Sequence, residues 1–222
     1  MSNADAMTLY TADTPNGQKI SIFLKEAGIA YRQVNLDLSG GDQHRPDYLA
    51  INPNGKIPAV VDHEAGLTIF ESGAILTYLS SKTGCLWPGR QREQSTVQQW
   101  LHFQIGSIGP MLGQLWWFLH RAETANDEAI ARYRKEALRL YGVVNRRLGE
   151  SAFLALPEYT IADIAAFSWL RTFGELELDV SAFPHVARWL TVIEARPAVI
   201  EGLAANRVLS PAADGQSGET RE

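Results

Sequence analysis

Apolar positions fall in two rhythms along this chain, and the change of rhythm comes near residue 88. Before it, short apolar runs alternate with stretches of helical spacing. Thr8-Leu9-Tyr10-Thr11 reads as a strand. Thr14-Pro15 then supplies an N-cap residue followed by proline at the first helical position, a start signal for a helix. Ile20, Phe23, Leu24 and Ala27 recur at helical spacing, and Gly28 closes the segment. Tyr31 to Leu36 predicts a second strand, parallel to the first through the helical crossover. A loop from Ser39 to Pro46 and a short helix lead to strands at Ala59–Asp62 and Leu67–Phe70, and then to a helix from Ser72 to Gly84.

Leu86-Trp87-Pro88-Gly89 reads as a linker, and the spacing beyond it is helical throughout. Val97, Leu101, Ile105, Ile108, Leu112, Leu115 and Leu119 form one broad apolar face on a helix expected over about Arg90 to His120. Gly109-Pro110 should bend it, because proline removes a helix hydrogen bond. A second helix carries Tyr133, Ala137, Leu140, Tyr141, Val144 and Leu148. A third starts at Thr160-Ile161-Ala162-Asp163, where Thr160 and Asp163 suit a capping box and Tyr159 and Ile164 a hydrophobic staple. Val186, Trp189, Leu190 and Ile193 mark a fourth. The expected architecture is an α/β, thioredoxin-like N-terminal domain over 7–87 plus an all-α C-terminal domain over 90–205. A Gly/Ser/Asp-rich flexible tail over 206–222 follows.

Composition narrows the partners. The chain has 222 residues, a formal net charge of −5 and no basic run, which argues against nucleic acid. No stretch of about 18 apolar residues and no charged-then-apolar leader appears, so neither a membrane span nor a signal peptide is expected. Cys85 is the single cysteine, which excludes an internal disulfide framework and suits a reducing, cytoplasmic setting. Ser2-Asn3-Ala4 reads as an expression scar, so residues 1–6 are set aside. The five histidines show no metal-ligand spacing, and no metal is expected.

Two short stretches carry candidate chemistry. In Asn52-Pro53-Asn54-Gly55-Lys56-Ile57-Pro58, the Ile57-Pro58 step opens the strand Ala59–Asp62. A proline tolerates a cis bond, which would turn the chain sharply and leave Ile57 to offer its N–H and C=O to an extended partner, as an added strand does. In Glu71-Ser72, Ser72 is expected to be the N-cap of the following helix, whose free N–H groups would hold a carboxylate. Glu71 adds an acceptor for an ammonium group. One clamp for peptide backbone and one for an amino-acid head point to a small peptide.

With these motifs in place the chain resembles the glutathione transferases over roughly residues 7–205. Thr14-Pro15-Asn16-Gly17, the Asn52–Pro58 segment, Phe70-Glu71-Ser72-Gly73-Ala74-Ile75-Leu76 and Gly109-Pro110-Met111-Leu112-Gly113-Gln114 resemble, in order, the bacterial Nu-class (YfcG-like) members. The resemblance implies the glutathione transferase fold, a homodimer, glutathione bound at the N-terminal domain and glutathione-dependent disulfide-bond reductase activity. It also implies two glutathione molecules, or one glutathione disulfide, in one site. By the same resemblance Lys56 and Gln43 contact glutathione's glycine-end carboxylate and backbone. Arg132 holds a second glutathione, unless it is one more solvated arginine on a helix face.

The chemical requirement is a glutathione thiolate near neutral pH, since a free thiol has a pKa near 8.5. Thr14 either donates its hydroxyl to that sulfur or spends it capping its own helix. Asn16 or the first backbone N–H groups add donors, aided by the helix dipole. Tyr10 is the rival donor. Thr-Pro-Asn-Gly stands where thiol-disulfide enzymes of this fold carry Cys-x-x-Cys, and Cys85 follows a helix C-terminus, so both thiols of an exchange must come from ligands. Gln114-Leu115-Trp116-Trp117-Phe118 departs from the more polar, His-rich Nu-class pattern. Trp116 or Trp117 either walls a co-substrate pocket or packs in a core or interface. Three functions stay open: disulfide reductase, transferase conjugating hydrophobic electrophiles, and a non-catalytic glutathione-binding regulator.

Overall fold

The computed structural model describes residues 6–207. Strand β1 (Met7–Thr11) runs into helix α1 (Pro15–Glu26), which returns the chain to β2 (Arg32–Asn35). A single turn of 3-10 helix (Asp42–His44) and the short α2 (Pro46–Leu49) precede β3 (Ala59–Asp62), β4 (Leu67–Phe70) and α3 (Ser72–Thr83). The sheet order is β2-β1-β3-β4. Leu9 of β1 lies opposite Gln33 in the parallel pair and opposite Val60 in the antiparallel pair, and Val60 in turn lies opposite Ile69. Leu9 and Val60 are fully buried, so the central strands rather than the edges hold the core of this half.

The helical half begins with α4 (Gln91–Phe103) and continues through α5 (Gly109–His120), α6 (Asp127–Glu150), α7 (Ile161–Leu170), α8 (Pro184–Glu194) and α9 (Pro197–Asn206). The helix expected over 90–120 is interrupted where proline acts. Gln104–Ile108 is one π turn, and the Gly109 N–H reaches back five residues to the Gln104 carbonyl. Pro110 has no N–H to continue the ladder, and the wider turn absorbs the mismatch. One consequence is that Gln104 faces inward and is fully buried.

The fourth expected helix is α8, and beyond it Arg196-Pro197 starts α9, a helix that the apolar spacing did not predict. The expected tail from 206 lies outside the described residues from 208 onward, but Asn206 itself ends α9 and is buried, where its Oδ1 accepts from the Thr11 hydroxyl at 3.0 Å. Helix α9 therefore docks back on the N-terminal half, against α1.

The Thr160–Asp163 capping box is present. The Asp163 carboxylate is fully buried and accepts from Leu154 N, Thr160 N, the Thr160 hydroxyl and Trp189 Nε1, at 2.8 to 3.0 Å. It ties the loop before α7 to α8. Burial nonetheless pushes its pKa up to about 6, with these donors acting in the opposite direction. Its place in the fold is structural.

Candidate active site

Helix α1 starts beside the end of β1, and Gly17 permits the approach. A Cβ on Gly17 would stand 2.3 Å from the Ala12 carbonyl oxygen and 2.4 Å from Thr11 Oγ1. Thr14, the N-cap, accepts the Gly17 N–H on its hydroxyl oxygen at 3.3 Å. That cap uses an oxygen lone pair and leaves the hydroxyl hydrogen free to donate elsewhere. Capping and donation are therefore compatible rather than rival roles.

Asn16, two residues on, is oriented from the other half of the molecule. The Trp169 indole N–H, in α7, donates to Asn16 Oδ1 at 2.9 Å. An indole nitrogen only donates, so the amide must present its oxygen to Trp169 and keep its NH2 group for another acceptor. Both side chains line a cavity of about 440 Å³, together with Thr14, Gln43, Lys56 and Ile57 from the N-terminal half. Trp116, Thr172 and Leu176 close it from the helical half.

A smaller cavity of about 220 Å³ adjoins it and shares Asn16, Lys56 and Ile57 as walls. Its far side is Glu71 and Ser72. The loop that carries Ile57 is held by its own polar groups: the Lys56 carbonyl accepts from the Tyr48 hydroxyl and from Asn52 Nδ2, each at 2.6 Å. The Tyr48 hydroxyl is correspondingly pushed up to about 12, by burial first. Asn52 Oδ1 accepts the Asn54 N–H at 3.0 Å, and Gly55 takes a φ of +61° beside the Gln43 carbonyl. The Ile57-Pro58 peptide is cis.

The N-cap of α3 is not Ser72, as its sequence position suggests, but the residue before it. Glu71 is the N-cap, at φ +70° and ψ 115°, and Ser72 is the first helical residue. A non-glycine residue in that region is a sparsely populated conformation that surrounding structure must enforce. Ser72 therefore does not cap. Its hydroxyl oxygen instead accepts from the buried Lys19 ammonium at 3.1 Å.

Seven of the eight residues expected in the site line these two cavities: Thr14, Asn16, Gln43, Lys56, Ile57, Glu71 and Ser72. Arg132 is exposed on α6 and lines neither. Tyr10, tilted against Tyr48 at 5.8 Å, lines neither. Trp116 does wall the larger cavity, whereas Trp117 is 47% exposed on the outside of α5. Cys85 stands apart from both cavities, and burial, with Glu26 adding to it, pushes its thiol up. Sequence reasoning missed Trp169, Thr172, Leu176, Lys19 and Gln104. A lysine on the buried face of α1 was a signal for one of them, and the others had none.

The walls of the two cavities differ in chemistry. The smaller cavity offers a carboxylate, a hydroxyl and the free N–H groups of α3, as an amino-acid head requires. Ile57 lines both cavities, and the start of α1 with Thr14 and Asn16 borders the larger one beside Trp116, Trp169 and Leu176. Among the described residues no group of three or more His, Cys, Asp or Glu is placed to hold a metal ion, and no helix is long and apolar enough to cross a membrane.

Comparison with known proteins agrees with this geometry. Residues 5–81 match the family described as glutathione S-transferase, N-terminal domain, and residues 108–197 match the glutathione S-transferase, C-terminal domain. The chain is 46% identical over 200 residues to the disulfide-bond oxidoreductase YfcG of Escherichia coli (strain K12), covering 88% of this chain and 93% of that one. A glutathione transferase from Burkholderia graminis, solved with two glutathione molecules per subunit, is similar at a TM-score of 0.88 and 40% identity, covering 94% of this chain and 91% of that one. One from Pseudomonas putida, solved with one glutathione disulfide per subunit, gives 0.86 and 38%, covering 91% and 93%.

Proposed function

The chain belongs to the glutathione S-transferase family, and we propose that it is a glutathione-dependent disulfide-bond reductase. The observation that carries the reading is the make-up of the larger cavity. Hydroxyl and amide donors of Thr14 and Asn16 meet there, while the chain's single cysteine lies elsewhere. Both thiols of an exchange must then be ligand thiols, and the similar enzymes hold two glutathiones or one glutathione disulfide.

In this reading Glu71 takes the ammonium of the γ-glutamyl head and Ser72 with the α3 N-terminus takes its carboxylate. Ile57 pairs with the cysteinyl backbone, and Lys56 and Gln43 face the glycine end. The sulfur then reaches Thr14 and Asn16, whose donors favour the thiolate. The thiolate attacks one sulfur of a disulfide, forming a glutathione mixed disulfide and expelling the other half as a thiolate that takes a proton from water. A second glutathione thiolate attacks the glutathione sulfur of that mixed disulfide. Two glutathiones become one glutathione disulfide, and the substrate leaves as two thiols. Arg132 is assigned to the second glutathione. A homodimer and a cytoplasmic location belong to the same proposal.

Trp116, Trp169 and Leu176 favour a second reading, conjugation of glutathione to hydrophobic electrophiles, because they make the chamber apolar. Turnover separates the two: reduction of a small dialkyl disulfide by glutathione against conjugation to a model aryl halide. The reductase reading predicts the first to be faster by at least tenfold in kcat/KM. Dominant conjugation reverses the assignment. Glutathione binding without either reaction leaves a binding protein.

A further inference from the structure

Lys19 is a charged side chain with no role so far. It sits on α1, is 1% exposed, and its ammonium donates to Ser72 Oγ at 3.1 Å and to Gln104 Oε1 at 2.6 Å. Both partners are neutral. The elements packed around it supply little charge. Glu71, next to Ser72, is the one ionisable neighbour acting on it. Asp163 of α7 is occupied by its own four donors, and Glu201 of α9 pairs with Lys25 at 3.4 Å. A lysine this deep, without an ion pair, is costly to keep charged.

Its position gives the cost a purpose. Ser72 lines the smaller cavity, and Lys19 approaches that hydroxyl from behind. An ammonium has three protons and no lone pair, so it occupies an oxygen lone pair of Ser72 and leaves the hydroxyl hydrogen to point elsewhere. Gln104, brought inward by the π turn, fixes the other side of the ammonium, and its Nε2 is buried without a partner.

We propose that Lys19 is a positioning residue for the ligand's head-group carboxylate, turning the Ser72 hydroxyl hydrogen toward it and being held charged by the carboxylate once it docks. The inference rests on the glutathione reading of this cavity. It adds that binding draws a proton from solvent onto Lys19. Burial lowers the lysine to about 7, with Glu71 acting in the raising direction. A carboxylate one hydroxyl away restores the charged form.

The experiment is titration calorimetry of the full chain with S-methylglutathione, whose blocked thiol cannot release a proton, in buffers of different ionisation enthalpy. At pH 7.5 the wild type should take up protons on binding, and the uptake should shrink as the pH is lowered to 5.5. Lys19→Met should bind about tenfold more weakly and lose most of the uptake, a linkage that a merely structural lysine would not show. Binding by the wild type with no proton uptake at pH 7.5 overturns the proposal, whether or not the variant folds. If S-methylglutathione does not bind at all, the glutathione reading fails first and this inference falls with it.

Discussion

Gly202 of α9 lies against the backbone of Ile22 in α1 so closely that a Cβ there would stand 2.6 Å from the Ile22 Cα and 2.7 Å from its nitrogen. The end of the helical half thereby locks onto the helix whose start builds the site. Because the obstacle is backbone, it cannot swing aside as a side chain would. Gly202→Ala should cost about 2–4 kcal/mol of unfolding free energy, measured by urea titration. A change under about 0.5 kcal/mol would show that the contact is loose.

The Trp169–Asn16 hydrogen bond carries a catalytic prediction. Trp169→Phe keeps an aromatic wall but removes the donor that holds the amide oxygen. The Asn16 NH2 group then loses its fixed direction. The thiol pKa of bound glutathione, followed by thiolate absorbance, should rise by about one unit, and disulfide reductase turnover at pH 7 should fall about tenfold. Asn16→Asp should fall further, because a carboxylate offers no donor and repels a thiolate. An unchanged thiol pKa in both variants removes Asn16 from the chemistry.

Thr14 both caps α1 and faces the cavity. Thr14→Ala should lose about 1 kcal/mol of stability with the cap. Reductase turnover should drop at least tenfold while glutathione affinity changes less than threefold. Thr14→Ser keeps the hydroxyl and should restore most of both. Full turnover in the alanine variant would end the donor assignment.

Arg132 is a separate test, since it lies outside the cavity walls. If it serves the second glutathione, Arg132→Ala should weaken binding of glutathione disulfide about tenfold and leave S-methylglutathione affinity within twofold. Equal affinities for the disulfide would make it an ordinary surface arginine.

The buried lysine also sets a pH dependence in the protein without ligand. Its folded pKa of about 7 lies below the unfolded value near 10.4, so between them the unfolded state binds more protons. The contribution of this group is most favourable above pH 10.4 and is lost as pH falls through about 7. Relative to Lys19→Met, wild-type stability should therefore rise between pH 7 and 9, by at most about 1.4 kcal/mol per unit. A parallel profile for the two proteins would mean that the lysine is charged throughout.

Local signals in the chain were enough for much of this protein. The Thr14-Pro15 start, the Leu67–Phe70 strand and the Thr160–Asp163 capping box are written in neighbouring residues, because caps, alternation and turn chemistry act over three or four positions. The two runs that line the smaller cavity were legible for the same reason: Asn52–Ile57 and Glu71-Ser72 are each short and their neighbours fix their shape. Even there the helix start lies one residue from where the local pattern puts it, since only the folded backbone sets Glu71 at positive φ and moves Ser72 into the helix.

What tertiary structure decided is how distant segments come together around those runs. Trp169 meets Asn16 across 153 residues, and Gln104 meets Lys19 across 85. Neither pair has a signature in its own neighbourhood. A tryptophan in a buried helix reads as core, and a lysine on the apolar face of α1 does not name its partners, until packing aims one indole N–H and one ammonium at particular oxygens. The chain itself determined the family, the fold and the two short runs that line the cavities. Only the docking of the helical half on α1 decided that Asn16 faces Trp169 and that Lys19 lies between Ser72 and Gln104, because orientation of a polar group is set by its partner across space and not by its position in the chain.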